Sequence, residues 1–199
     1  MCVMCMKVSI ITVCFDSCNT IQDTFTSVAN QDYGDIEYIV VDGGSKDGTL
    51  EIIKSNTQWI TKYISEPDDG LYDAMNKGLK LATGNVIGFI NSDDILDHGS
   101  CISEIVDVFN ATNTDIVYGD NVYVNPNDVS KVERYWRSGY FEVNSYKKGW
   151  VPPHPATYIK RSAYQKFGNF NTEFKISADY ELMLRFIFGN RLYPVHLPK

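Results

Sequence analysis

The stretch "IEYIVVDGGSKDGTLEIIK" at residues 36–54 decides the fold class. Its first seven positions are apolar almost throughout rather than on alternate residues, which is how a strand buried on both faces reads. The run ends on Asp42, a glycine-containing loop follows, and from Thr49 the apolar spacing becomes helical, with Asp47 or Thr49 available as a cap. Strand, loop and helix in that order make a βα unit. Comparable runs stand at 8–15 ("VSIITVCF"), 85–90 ("NVIGFI") and 115–119 ("DIVYG"), with helical patterns over 20–29, 72–82, 101–109 and 178–188. The alternation predicts an α/β fold with a mostly parallel central sheet and helices on both faces. From about Asn121 the regularity breaks down, and turn residues mix with short candidate strands. The expectation is one domain over 1–199, with a regular part at about 7–120 and a less regular part at 121–199.

Composition fits this reading. The chain has 199 residues, 44% hydrophobic, 13% aromatic and 22% charged, values that exclude fibrous and disordered classes. Eighteen Lys+Arg against 25 Asp+Glu give a net charge of −7, and no basic block exists, so nucleic acid is not an expected partner. No apolar stretch reaches the roughly 18–20 residues of a membrane span, and no secretory leader is recognisable. The expected location is therefore the cytoplasm, with peripheral contact at the inner face of a membrane allowed for. Five cysteines (Cys2, Cys5, Cys14, Cys18, Cys101) argue against a disulfide framework. Cys14 lies inside an apolar run, so buried or incidental thiols are a better reading than a zinc site.

Four of the apolar runs finish in or next to an aspartate: Asp16, Asp42, the pair Asp93 and Asp94, and Asp120. Aspartates commonly open loops and cap helices, so any one of them is unremarkable as a signal. Together they are informative, because an open α/β sheet binds its ligands outside the carboxyl ends of its strands. Several carboxylates in one crevice repel one another unless a cation compensates. Oxygen ligands without a His/Cys cluster point to Mg²⁺ or Mn²⁺ rather than zinc. The loop "VVDGGSKDGT" matches neither the P-loop nor the dinucleotide-binding glycine spacing. An acid at the strand end, Asp42, suits hydrogen bonds to a nucleobase or ribose better than contact with phosphate.

Four segments, "VSIITVCFDSCNTIQDTFTSV", "IEYIVVDGGSKDGT", "SEPDDGLYDAMNKGLKLATGNVIGFINSDD" and "HPATYIKRSAYQKFGNFNTEFKISADYELMLR", resemble in order and spacing the family 2 glycosyltransferases, which have the GT-A fold. The resemblance covers nearly the whole chain. It implies an inverting hexosyl- or hexosaminyltransferase that moves a sugar from a nucleotide-diphosphate sugar to an acceptor hydroxyl, with Mg²⁺ or Mn²⁺, in bacterial cell-surface polysaccharide or glycolipid synthesis. Partners are then the nucleotide-sugar donor and a saccharide or lipid-linked acceptor. The part at 7–120 becomes the nucleotide-sugar-binding half and 121–199 the acceptor side.

Carried over residue by residue, the resemblance places Thr12 and Asp16 near the donor nucleotide and Asp42 on its base or ribose. Asp68 and Asn76 line the nucleotide pocket, and Lys77 meets the diphosphate. The family's Asp-x-Asp position is here Asn91-Ser92-Asp93, so an asparagine replaces the first acid and Asp93 with Asp94 remain as metal ligands. Asp179 in "SADYELMLR" matches the family's base, with Glu181 a weaker candidate on another helix face. His154 in "PPHPATY" matches a histidine near the acceptor. Two rivals stand beside this reading: a sugar-nucleotidyltransferase, whose triphosphate loop would need basic residues that "TVCFDSCNT" lacks, and a nucleotide-sugar-binding protein without turnover. Family members commonly continue further beyond the last helix, so a short member or a shortened chain is expected.

Overall fold

The computed structural model describes residues 6–126 and 128–198, so Cys2 and Cys5 lie outside the described residues. The regular part runs β1 (Val8–Cys14), α1 (Ile21–Ala29), β2 (Ile36–Asp42), α2 (Thr49–Ser55), β3 (Lys62–Ser65), α3 (Leu71–Leu81), β4 (Val86–Phe89), α4 (Cys101–Thr112) and β5 (Ile116–Tyr118). A two-stranded ribbon follows, β6 (Asn121–Asn125) with β7 (Asp128–Trp136). The chain then forms β8 (Thr157–Lys160), α5 (Arg161–Phe167), α6 (Ala178–Met183) and β9 (Pro194–His196). Leu184–Gly189 continue α6 as a wider π-type turn, where one long helix was expected.

Seven strands make one sheet in the order β3-β2-β1-β4-β8-β5-β9. Every pairing is parallel except those of β8, which runs antiparallel between β4 and β5. The sheet crosses residue 121, since β8 and β9 belong to it. All seven residues of β1 are buried, because helices cover both faces. Ile11 and Val13 pack on one face with Tyr72, Met75, Leu182 and Phe186, whereas Val8 and Ile10 pack on the other with Phe25, Ile53, Ile102 and Phe109. Glycine is required at two close approaches. A β-carbon on Gly88 would lie 2.2 Å from the Tyr158 ring, and one on Gly78 would lie 2.5 Å from Ile11, so α3 can press onto β1 only without a side chain there.

Parallel pairing puts the carboxyl ends of β1, β2, β3, β4, β5 and β9 on one edge, and the reversed β8 brings its preceding segment, His154–Ala156, to that same edge. No helix among the described residues is long and apolar enough to cross a membrane.

Candidate active site

The loops leaving β1, β2 and β4 are tied together by short polar side chains. Asp16 occupies the left-handed region (φ 48°), where Asp is better tolerated than most residues. Its amide donates to Ser45 Oγ (2.8 Å), and its carboxylate accepts from the Lys46 amide (3.0 Å). The Ser17 amide donates to Thr49 Oγ1 (2.8 Å), and the Ser17 hydroxyl meets that of Ser92 at 2.9 Å. Asp47 accepts from the amides of Cys18 (2.9 Å) and Thr49 (3.0 Å), which holds its carboxyl well below the usual range, the Thr49 hydroxyl contributing most. These bonds fix the rim formed by the loops after β1, β2 and β4.

Several expected ligand contacts turn out to be engaged within the protein. Thr12 is fully buried and its hydroxyl is shared with Tyr38 at 3.0 Å, because its position in β1 faces the α1 side of the core. Asp42 is likewise buried: Ser45 Oγ and Ser65 Oγ (2.6 Å) donate to its two oxygens, so it joins the ends of β2 and β3. The adjacent Cys14 thiol is pushed up by burial and by the Asp42 charge. Asn76 spends both ends of its amide on Phe170, donating to its carbonyl (2.9 Å) and accepting from its amide (3.1 Å). Lys77 donates to the Pro67 carbonyl (2.8 Å) and pairs with Glu66 (3.1 Å) and Asp73 (3.3 Å). Burial works against its charge, but the two carboxylates outweigh it and hold its pKa above the ordinary lysine value. Thr12, Asp42, Asn76 and Lys77 are thus each tied into the protein by hydrogen bonds or ion pairs that organise this edge of the sheet.

Asp16, Asp68, Asp93, Asp94 and Asp179 remain at the carboxyl edge. Asp68 accepts from the Gly70 amide (2.9 Å) and lies over Gly43, where a β-carbon would come within 2.5 Å of its carboxylate. Asp93 is exposed and makes no hydrogen bond or ion pair among the described residues, whereas Asp94 is half-buried and accepts from Asn91 Nδ2 (2.8 Å). Burial, then the neighbouring Asp93 charge, raises the Asp94 pKa. Burial alone would raise a carboxyl in this way, and the adjacent charge adds to it. Among the described residues no three His, Cys, Asp or Glu side chains converge to hold a metal ion. The pair still fits Mg²⁺ or Mn²⁺, since such an ion commonly takes one or two carboxylates and completes its shell with substrate phosphates and water.

On the other side of β4, Asp179 sits in the first turn of α6, two residues after Ser177, which is held in the left-handed region (φ 66°). The Tyr72 hydroxyl donates to Asp179 Oδ1 at 2.8 Å, and burial followed by this carboxylate raises the Tyr72 pKa. His154 packs between Phe89 (ring centroids 5.2 Å apart) and Phe170 (5.5 Å). Burial lowers the pKa of His154, with the Asp179 charge opposing, so the imidazole is neutral near pH 7. Glu181 is taken by Arg185 (2.8 Å), which also donates to the carbonyls of Phe167, Gly168 and Asn169. Neither Tyr72 nor Arg185 was marked by the sequence. A separate groove of about 430 Å³ opens at the far end of α3, beside Lys80, Arg161 and Tyr164, away from these carboxylates.

The model for glycosyl transferase family 2 matches residues 9–175. The chain belongs to this family. An uncharacterised glycosyltransferase of Mycobacterium tuberculosis is 31% identical over 181 residues, covering 89% of this chain and 68% of that protein. A PGL/p-HBAD biosynthesis glycosyltransferase of Mycobacterium bovis is 29% identical over 165 residues, covering 80% of this chain and 61% of that protein. Among solved structures, TarS of Staphylococcus aureus, residues 1–349 with UDP-GlcNAc, superposes with a TM-score of 0.78 at 21% identity, covering 98% of this chain and 59% of that one. The mannosyltransferase PcManGT of Pyrobaculum calidifontis, solved with GDP-Man and Mn²⁺, superposes with a TM-score of 0.72 at 17% identity, covering 98% and 55%. The chain of this family 2 glycosyltransferase thus has the GT-A fold and spans little more than half the length of those solved structures.

Proposed function

We propose that this glycosyltransferase transfers a hexosyl or hexosaminyl group, with inversion, from a nucleotide-diphosphate sugar to an acceptor hydroxyl in cell-surface polysaccharide or glycolipid synthesis. The observation that carries the proposal is the separation of acids into two environments on one sheet edge. Asp93, exposed, and Asp94, half-buried, are adjacent after β4, and Asp179 stands apart, hydrogen-bonded by Tyr72 and near the His154 ring that packs between Phe89 and Phe170. Nucleotide-sugar complexes of the neighbours and the biosynthetic role in one relative's name support the donor and acceptor classes.

In this reading Asp93 and Asp94 hold Mg²⁺ or Mn²⁺, which when bound stabilises negative charge on the departing diphosphate. Asp16 and Asp68 line the donor side of the crevice. Asp179 takes the proton of the acceptor hydroxyl as that oxygen bonds to the anomeric carbon and the bond to the diphosphate oxygen breaks. Attack from the face opposite the leaving group inverts the centre. His154, uncharged at neutral pH because burial lowers its pKa, shapes the acceptor wall.

A thermal-shift panel of UDP, GDP, dTDP and CMP, with and without Mn²⁺, tests the donor half, since a ligand binding only the native state raises its melting temperature. One nucleotide is expected to stabilise the wild type in a metal-dependent way, and Asp93→Ala to lose the metal dependence. No shift with any nucleotide defeats the proposal.

A further inference from the structure

Charge is divided sharply along the chain. Residues 1–120 contain 19 Asp+Glu and 6 Lys+Arg, whereas residues 121–199 contain 6 and 12, including all five arginines. The net charge of −7 is therefore the sum of a strongly acidic donor-side part and a basic remainder. Within that remainder, Lys131, Lys160 and Arg185 are paired with Asp128, Asp115 and Glu181. Arg137, Lys147, Lys148 and Arg191 are exposed and have no carboxylate partner among the described residues.

These four cations sit on a well-anchored surface. The segment at 137–150 is closed at its base by the Ser138 amide donating to Asp120 (2.8 Å) and by Trp150 Nε1 donating to the Ser138 carbonyl (2.8 Å). The Tyr118 hydroxyl donates to the Gly139 carbonyl (2.8 Å). Inside the segment, Phe141 packs against Trp150, Phe188 and Tyr193, and Tyr146 lies 3.8 Å from Phe188 between ring centroids. Outside it, Tyr140 is 77% exposed, Val143 66% and the neighbouring Tyr193 61%. A loop fixed this firmly, yet leaving apolar side chains in water among unpaired cations, has the composition of an interfacial patch.

We propose that the face formed by residues 137–149 with Arg191 and Tyr193 docks onto an anionic lipid bilayer. Unpaired Lys and Arg suit a diffuse negative surface, and tyrosine suits the headgroup level, where one end of the ring is wet. The acidic surface contributed by residues 1–120 is repelled by the same bilayer, which favours the orientation that turns residues 137–149 and Arg191 toward the lipid. Attachment of this kind is reversible and falls with salt. The inference stands whether or not the proposed transfer reaction is correct.

Co-sedimentation of the full chain with phosphatidylcholine vesicles, with and without about a third phosphatidylglycerol, tests it. The wild type is expected to partition onto the anionic vesicles alone and to be released by raised salt. Lys147→Glu with Lys148→Glu is expected to cut partitioning by roughly tenfold or more, and Tyr140→Ser with Val143→Ser by a few-fold. Arg191→Glu, outside the loop, keeps the test available if a loop variant folds poorly. Equal partitioning of wild type and both charge-reversed variants overturns the proposal. So does equal partitioning onto neutral vesicles, or retention by soluble dextran sulfate without vesicle binding.

Discussion

Removing the Tyr72 hydroxyl tests the assignment of the base more sharply than removing the base alone. In Tyr72→Phe the ring keeps its stacking on Phe170 (5.7 Å) and only the 2.8 Å bond to Asp179 Oδ1 is lost. Two effects then oppose each other. A carboxylate relieved of a donor is a stronger base, which in Brønsted terms is worth a few-fold in rate. Against this, a charge-assisted hydrogen bond worth about 1.5–3 kcal/mol no longer orients the carboxylate. Misorientation of a reacting group commonly costs about a hundredfold, so orientation wins and kcat should fall about 10- to 100-fold with donor KM little changed. Asp179→Asn keeps the shape and an acceptor for Tyr72 and should lower kcat by about 10²–10⁴ while leaving donor binding intact. Because Tyr72 acts through Asp179, adding Tyr72→Phe to Asp179→Asn should cost almost nothing more. The assay is steady-state transfer with the nucleotide identified by thermal shift, and donor affinity is followed separately by the size of that shift. Full additivity in the double variant, or near wild-type transfer by Asp179→Asn, refutes the assignment.

Three other outcomes follow from the same geometry. Glu37 is buried and takes bonds from Lys62 (2.8 Å), Ser9 (2.6 Å) and Thr83 (2.7 Å); burial opposes its charge, but these partners prevail and hold its carboxyl below the usual range. Glu37→Gln should therefore destabilise by about 2–3 kcal/mol at pH 7 in urea unfolding. Since the folded-state value is depressed, that stabilisation is complete above the unfolded value of 4.5 and fades as pH falls below it, so wild type and variant should converge in acid. The His154 pKa is also lowered by folding, so below its unfolded value of 6.5 the unfolded chain binds more protons and stability should drop as pH falls; His154→Asn should flatten that slope in melting experiments. Gly88→Ala would set a β-carbon 2.2 Å from the rigid Tyr158 ring between β4 and β8, and a loss of about 3 kcal/mol is expected by denaturant titration.

What the sequence revealed follows the range of the interactions concerned. β1, β2 and β4 were legible because burial on both faces leaves an unbroken apolar run, and the carboxylates at their ends were legible because a parallel sheet must gather them. β8 was not, since "TYIK" is four residues whose strand character comes from pairing with β4 and β5, far apart in the chain. β3 has alternating exposure at the sheet edge and is equally short. The same distinction separates the site residues. Asp93 and Asp94 stood out by local pattern and Asp179 by family resemblance, but Asn76 finds Phe170 across 94 positions and Tyr72 finds Asp179 across 107, and no periodicity encodes such a meeting. A buried strand-end aspartate and an exposed one also look alike in sequence; the Ser45 and Ser65 hydroxyls that meet the buried Asp42 come from positions that only the fold brings to it.

These unforeseen contacts give α3 a role that its amphipathic pattern alone does not convey. Positions four apart share a helix face. Tyr72 and Asn76 form one such row and reach Asp179 and the backbone of Phe170, thereby fixing that carboxylate and the wall against which His154 packs. Asp73 and Lys77 form the adjacent row, and Lys77 grips Glu66 and the Pro67 carbonyl in the loop that carries Asp68. Gly78 lets the same helix lie directly on Ile11 of β1, so neither row can shift without disturbing the sheet. Two turns of helix thus hold the loop of Asp68 and the Asp179 carboxylate in one rigid relation, so in the proposed reaction the separation of those two groups is set by the helix surface itself.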